Sequence, residues 1–125
     1  LYFYPKAGTP GCTDQARGFR DHLAAIRAQG ADVFGVSTDG VAEQAAFESG
    51  EQLGFTLLAD PDGRVASAYG AKMPIVTYAR RWTFVIDPEL KIRHIDREVD
   101  PAADAERVAA IITRLQAESA AKPAD

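Results

Sequence analysis

Cys12 is the one cysteine among 125 residues, and it stands near the end of the stretch Tyr4-Pro5-Lys6-Ala7-Gly8-Thr9-Pro10-Gly11-Cys12-Thr13. Pro5, Gly8, Pro10 and Gly11 punctuate a loop, and the apolar period of a helix (Ala16, Phe19, Leu23, Ile26) begins just after the cysteine. The spacing therefore puts Cys12 in a helix's first turn. There the unpaired backbone N–H groups and the positive end of the helix dipole favour an anion, so thiolate is stabilised over thiol. Thr9, three residues upstream, carries a hydroxyl able to donate to the sulfur or to an oxygen held beside it. The chemistry this implies is nucleophilic attack by sulfur. A lone cysteine is more often a buried, inert small hydrophobe, but the proline and glycine loop running into a helix start reverses that preference. Gln15, three residues further into the helix, can turn back toward the loop or out to solvent with equal ease.

Other chemistries have less support. His22 and His94 lack ligand-like partners at metal spacing and no Cys/His cluster exists, so neither a metal nor an organic cofactor is expected. The glycine-rich loop does not end in the Lys-Ser/Thr pair of a phosphate-binding loop. Fourteen basic and eighteen acidic residues give a net charge of -4, with no basic run or aromatic-interleaved basic patch, which argues against nucleic acid. No apolar stretch approaches the roughly 20 residues needed to span a bilayer, and no signal-peptide pattern is visible. A single thiol rules out a disulfide framework within these residues and suits a reducing, cytoplasmic setting.

These residues need a scaffold, and 125 residues with 46% hydrophobic composition suit one globular domain over 1–125. Leu1-Tyr2-Phe3-Tyr4 reads as a buried strand entered partway along, without an initiator Met, so an N-terminal truncation is expected. The Cys12 helix should run to about Gln29 and stop at Gly30, followed by a strand at Val33–Val36. Ser37-Thr38-Asp39-Gly40 supplies turn and cap chemistry for a second helix with Val41, Ala45 and Phe47 among its apolar positions. Phe55–Leu58 is another strand, Asp60-Pro61-Asp62-Gly63 a turn, and Arg64–Tyr69 a short helix closed by Gly70. Residues 71–80 show no clean period. Trp82–Ile86 reads as a strand covered on both faces, with Lys91–Ile95 as its hairpin partner. Asp100 as N-cap and Pro101 at N1 open a last helix with an inward stripe of Ala105, Val108, Ile112 and Leu115, and the tail from about 118 should fray. Strands alternating with helices, then a hairpin and a final helix, predict an α/β fold with a mixed central sheet flanked by helices.

Pro5-x-x-x-Thr9-x-x-Cys12 resembles the active-site pattern of the peroxiredoxins. Phe3-Tyr4-Pro5-Lys6 through Gly18-Phe19-Arg20-Asp21 is similar to their Q-type branch, the bacterioferritin-comigratory-protein group. The likeness continues through Leu58-Ala59-Asp60-Pro61-Asp62-Gly63, Ala68-Tyr69-Gly70 and Arg81-Trp82-Thr83-Phe84-Val85-Ile86-Asp87, and so covers most of the chain. The first motif is specific; the later ones count because they occur in the expected order. The resemblance implies a thioredoxin-like fold, which periodicity alone does not single out. It also implies a thiol-dependent peroxidase, an antioxidant oxidoreductase, in which Cys12 attacks a hydroperoxide oxygen and becomes a sulfenic acid. Arg81 matches the family's active-site arginine, and its neighbour Arg80 would turn to the other face of a strand. Pro5 has a shielding role by resemblance, and the Gly11-Cys12 turn offers backbone N–H donors.

The branch often has a resolving cysteine five residues after the first, and here that place is Arg17. The sulfenic acid then needs an external thiol such as thioredoxin, glutaredoxin or glutathione. A monomer or weak homodimer is expected. Two other classes share the fold: a thiol-based peroxide sensor that passes its oxidation to a partner, and a non-enzymatic thioredoxin-like interaction module in which Cys12 only packs.

Overall fold

A computed structural model describes residues 1–121. Its elements are β1 (Tyr2–Phe3), α1 (Pro10–Ala28), β2 (Phe34–Ser37), α2 (Val41–Glu51), β3 (Thr56–Ala59), α3 (Arg64–Ala68), β4 (Thr83–Ile86), β5 (Ile92–Asp96) and α4 (Asp104–Ala121). The strands make one sheet in the order β3-β2-β1-β4-β5. β1, β2 and β3 are parallel, and β4 runs antiparallel to both β1 and β5, so the sheet is mixed. Crossover helices α1 and α2 are what parallel neighbours require. β1 is the middle strand, so its C-terminal end delivers Tyr4 and the loop after it to the centre of the sheet.

Alternation along β1 divides the core in two. Tyr2 and Tyr4 pack with Phe19, Leu23 and Ile26 of α1 and with Val108 and Ile112 of α4. Phe3 points the other way, into Val36, Ala66, Ala71, Ala79 and Phe84. Both faces are thus covered, which is why the opening residues read as a continuous apolar run. Gly35 in β2 allows the closeness of Tyr2, since a Cβ there would meet the Tyr2 ring at 2.9 Å and Leu57 at 2.8 Å.

Several boundaries differ from the sequence reading. Val41 and Ala45 are exposed on α2, whose buried face is Gln44 and Phe47. The reason is a hydrogen bond network: the buried Tyr4 hydroxyl donates to Gln44 Oε1, and Gln44 Nε2 donates to Leu58 O at 2.9 Å. α4 begins at Asp104 rather than Pro101. Asp100 Oδ1 accepts from Ala102 N at 3.1 Å and Asp100 O from Ala103 N at 3.0 Å, a separate turn ahead of the helix. Its inward stripe is as expected, with Ala105, Val108 and Ile112 buried and Leu115 packed against them. Residues 118–121 continue α4, and the rest of the tail lies outside the described residues. The β4–β5 hairpin forms with a register shift at Val85/Ile86. Among the described residues no helix is long and apolar enough to cross a membrane.

Candidate active site

The loop from β1 turns at Pro5 and Gly8 and enters α1 at Thr9, whose extended backbone (φ -76°, ψ 155°) makes it the N-cap, with Pro10 at the first helical position. Thr13 N donates to Thr9 O at 2.8 Å as the first helical bond. The N–H groups of Gly11 and Cys12 stand ahead of it, among the donors a helix leaves open. Cys12 is in the first turn, as the spacing predicts, and is 1% exposed.

Arg81 lies just before β4 and is half-buried, while Arg80 is exposed. Their opposite environments follow from alternation, although the strand itself starts two residues later, at Thr83. Arg81 Nη2 donates to Cys12 Sγ at 3.3 Å, and Arg81 Nη1 donates to Gln15 Oε1 at 2.8 Å. A Cβ on Gly11 would sit 3.1 Å from Arg81 Nη2, so only glycine leaves the guanidinium its full room there. Gln15 is fully buried, which removes the solvent-facing alternative. Its Nε2 donates to Asp104 Oδ2 at 2.9 Å, and Thr83 Oγ1 donates to the same oxygen at 2.7 Å. Burial pushes the Asp104 carboxyl above its ordinary range, with the Thr83 and Gln15 hydrogen bonds pulling the other way. Burial likewise raises the phenols of Tyr2 and Tyr4, which line the cysteine's surroundings as neutral rings.

Thr9 behaves differently from expectation. Its hydroxyl donates to Lys6 O at 2.7 Å rather than to the sulfur. A hydroxyl whose proton is held this way presents lone pairs, so it can accept a hydrogen bond from an incoming O–H. Pro5 is half-buried directly after Tyr4. The loop is held from β2: Ala7 N donates to Asp39 Oδ2 at 2.7 Å, and Ser37 Oγ donates to the same oxygen at 2.5 Å.

Cys12, Gly11, Gln15 and Arg81 are therefore brought together, with Thr9 and Pro5 on the adjoining loop. Sequence reasoning missed Asp104, Thr83 and Asp39 in this setting. Within the Ser37-Thr38-Asp39-Gly40 turn and cap stretch, Gly40 is the N-cap of α2, without a side-chain cap, and Asp39 turns to the loop instead. Asp104 had one faint signal, an acid immediately before the apolar stripe that starts at Ala105.

The AhpC/TSA family model matches residues 1–95. Peroxiredoxin Bcp of Escherichia coli is 43% identical over 101 residues, a match covering 76% of this chain and 65% of that protein's length. The chain thus spans about 65% of the length of this curated relative. Among solved structures, peroxidoxin BcpB from Mycobacterium tuberculosis superposes with a TM-score of 0.87 at 35% identity, covering 92% of this chain and 77% of that one. The bacterioferritin comigratory protein of Xanthomonas campestris, studied in trapped intermediate and ligand complexes for its alkyl peroxide reduction activity, gives 0.86 at 30% identity, covering 91% and 76%. The five-stranded mixed sheet flanked by helices is a thioredoxin-like peroxiredoxin fold, and the chain belongs to the AhpC/TSA family, alongside its Bcp and peroxiredoxin Q members.

Proposed function

We propose that this chain is a thiol-dependent peroxidase that reduces hydrogen peroxide or organic hydroperoxides at Cys12. The observation that carries the reading is the Arg81 guanidinium 3.3 Å from a buried sulfur in a helix's first turn. The helix N-terminus and the Arg81 guanidinium both lie at the sulfur, placed to stabilise charge as it passes from sulfur onto oxygen.

The reaction balances as follows. Cys12 S⁻ attacks the terminal oxygen of R–O–O–H, an S–O bond forms as the O–O bond breaks, and RO⁻ leaves to take up a proton as ROH or water. Sulfur loses two electrons and becomes S–OH. Negative charge moves from sulfur onto oxygen, so donors lying along that path bind the transition state better than the ground state. Arg81 spans it with one nitrogen on sulfur, the Gly11 and Cys12 amides supply further donors, and the lone pairs of Thr9 accept the peroxide O–H. Gln15 steadies Arg81 through Nη1. Pro5 limits water at the loop.

With one cysteine in these residues, regeneration takes two equivalents of an external thiol. The first condenses with S–OH to a mixed disulfide and water, and the second releases the Cys12 thiol and a disulfide. Thioredoxin, glutaredoxin or glutathione fits this role, in a reducing compartment such as the cytoplasm. The alkyl peroxide activity of the Xanthomonas campestris relative supports organic hydroperoxides as substrates. We read the chain as a single domain acting as a monomer or weak homodimer. Steady-state peroxide consumption with a thiol reductant tests the proposal: turnover by the parent and none by Cys12→Ser is expected, and equal turnover by both would overturn it.

A further inference from the structure

We propose that Asp104, on the last helix, is a positioning residue for this site, holding the Gln15 amide in the one orientation that keeps Arg81 on Cys12. The inference rests on the peroxidase reading and adds a residue to it. Asp104 is 1% exposed and comes from α4, 89 positions from Gln15 in sequence. Its Oδ2 accepts two hydrogen bonds, from Gln15 Nε2 at 2.9 Å and Thr83 Oγ1 at 2.7 Å. Its Oδ1 is buried and has no hydrogen-bond partner among the described residues.

Geometry decides what these contacts do. An amide side chain can present either its NH₂ or its oxygen to a neighbour, and a carboxylate that only accepts admits one choice. Gln15 must give NH₂ to Asp104, so its oxygen must face the other way, toward Arg81. Arg81 then donates Nη1 to Gln15 and is left with Nη2 on the sulfur. Reversed, the Gln15 NH₂ would face an N–H of the guanidinium, donor against donor, and the fork would swing off Cys12. Thr83 fixes Asp104 from β4, so α1, β4 and α4 all have to be docked before the fork is aimed. Burial strengthens the hydrogen bonds this chain makes and makes the unpaired Asp104 Oδ1 costly. An acid kept buried with one oxygen unpaired at a cost in stability suits a functional role better than a packing one.

The test is the rate of Cys12 oxidation by hydrogen peroxide in the full chain, followed by stopped flow. Asp104→Ala frees the amide and should slow oxidation at least about tenfold, since small misplacements of a catalytic group cost that much or more. Asp104→Asn, which can still accept through its Oδ1, should stay within about threefold of the parent. In a Gln15→Met background, Asp104→Ala should add nothing further, because the path to Arg81 is already cut; independent structural damage would multiply instead. Asp104→Val refills the space and carries the same prediction as Asp104→Ala if the latter does not fold. Parent-like oxidation by Asp104→Ala or Asp104→Val, no rescue by Asp104→Asn, or multiplicative losses with Gln15→Met would each overturn the proposal while leaving the peroxidase reading intact. A parent protein no faster than a free thiol would remove both.

Discussion

Arg81 shows how a residue can be legible in a sequence before its reason is. The family resemblance picks it out ahead of Thr83-Phe84-Val85-Ile86-Asp87, where local pattern alone favours an ordinary surface arginine, and the structure puts it on Cys12 while Arg80 is exposed. Cys12 was legible for a local reason, a loop that must end where a helix must begin. Gln15 was not resolved by local rules, because its burial depends on α4 arriving from the far end of the chain. Thr9 was legible as a hydroxyl on the loop, but its bond to the Lys6 carbonyl was not, since only the shape of the loop brings that carbonyl near. At this scale Arg81→Ala should slow Cys12 oxidation by about 10²- to 10³-fold, the size of effect seen when one transition-state donor is removed. Arg81→Lys should recover only part of it, because a single ammonium cannot serve sulfur and Gln15 together. Stopped-flow oxidation of the three proteins checks both.

The elements explain why the loop has one shape. β1 ends at the centre of the sheet, and the turn after β2 lies beside it because the two strands are parallel neighbours. Asp39 uses that proximity to hold the Ala7 amide, at a position where the sequence shows only turn and cap chemistry. A charge-assisted hydrogen bond of this sort contributes about 1.5–3 kcal/mol. Asp39→Ala should therefore lower stability by about that amount and slow Cys12 oxidation, because Lys6 O and with it the Thr9 hydroxyl lose their place. Asp39→Asn, still an acceptor, should restore most of both. Urea unfolding and the oxidation rate measured on the same preparations would show it, and a rate unchanged in Asp39→Ala would mean the loop holds itself. The start of α4 was misplaced from sequence for a related reason. Asp100 and Pro101 are good opening residues, but they open a turn of their own, and Asp104 is drawn into the helix by partners on α1 and β4.

For the whole molecule, the order of strands and helices followed from periodicity and turn residues, because each element buries an apolar face of its own. The thioredoxin-like arrangement came from the family resemblance, since the same elements in the same order suit several layered folds. Asp104 connects this scale to stability. Its carboxyl is raised by burial, which the nearby Asp96 reinforces and the Thr83 and Gln15 hydrogen bonds oppose. The folded chain therefore holds that proton at pH values where the unfolded chain has lost it. Stability from this group falls as pH rises from the ordinary carboxylate range through the raised folded value, and the full penalty remains above it. Asp104→Asn has no such titration, so its stability relative to the parent should improve as pH rises through that window. Unfolding curves from about pH 4 to pH 7 would detect this, and a difference that stays flat with pH would show that Asp104 is not ionised at a cost.

The central claim is that Cys12 is a peroxide-reactive nucleophile made so by its surroundings. It is tested most directly by single-turnover oxidation of the reduced protein with hydrogen peroxide and with an organic hydroperoxide, using intact mass to locate the added oxygen and Cys12→Ser as the blank. Oxidation at Cys12 at least about a thousandfold faster than that of a free cysteine is predicted, as preorganised donors on the oxygen path would supply. Oxidation at the free-cysteine rate would contradict it, and would leave Cys12 as a packing residue in a peroxiredoxin fold put to another use.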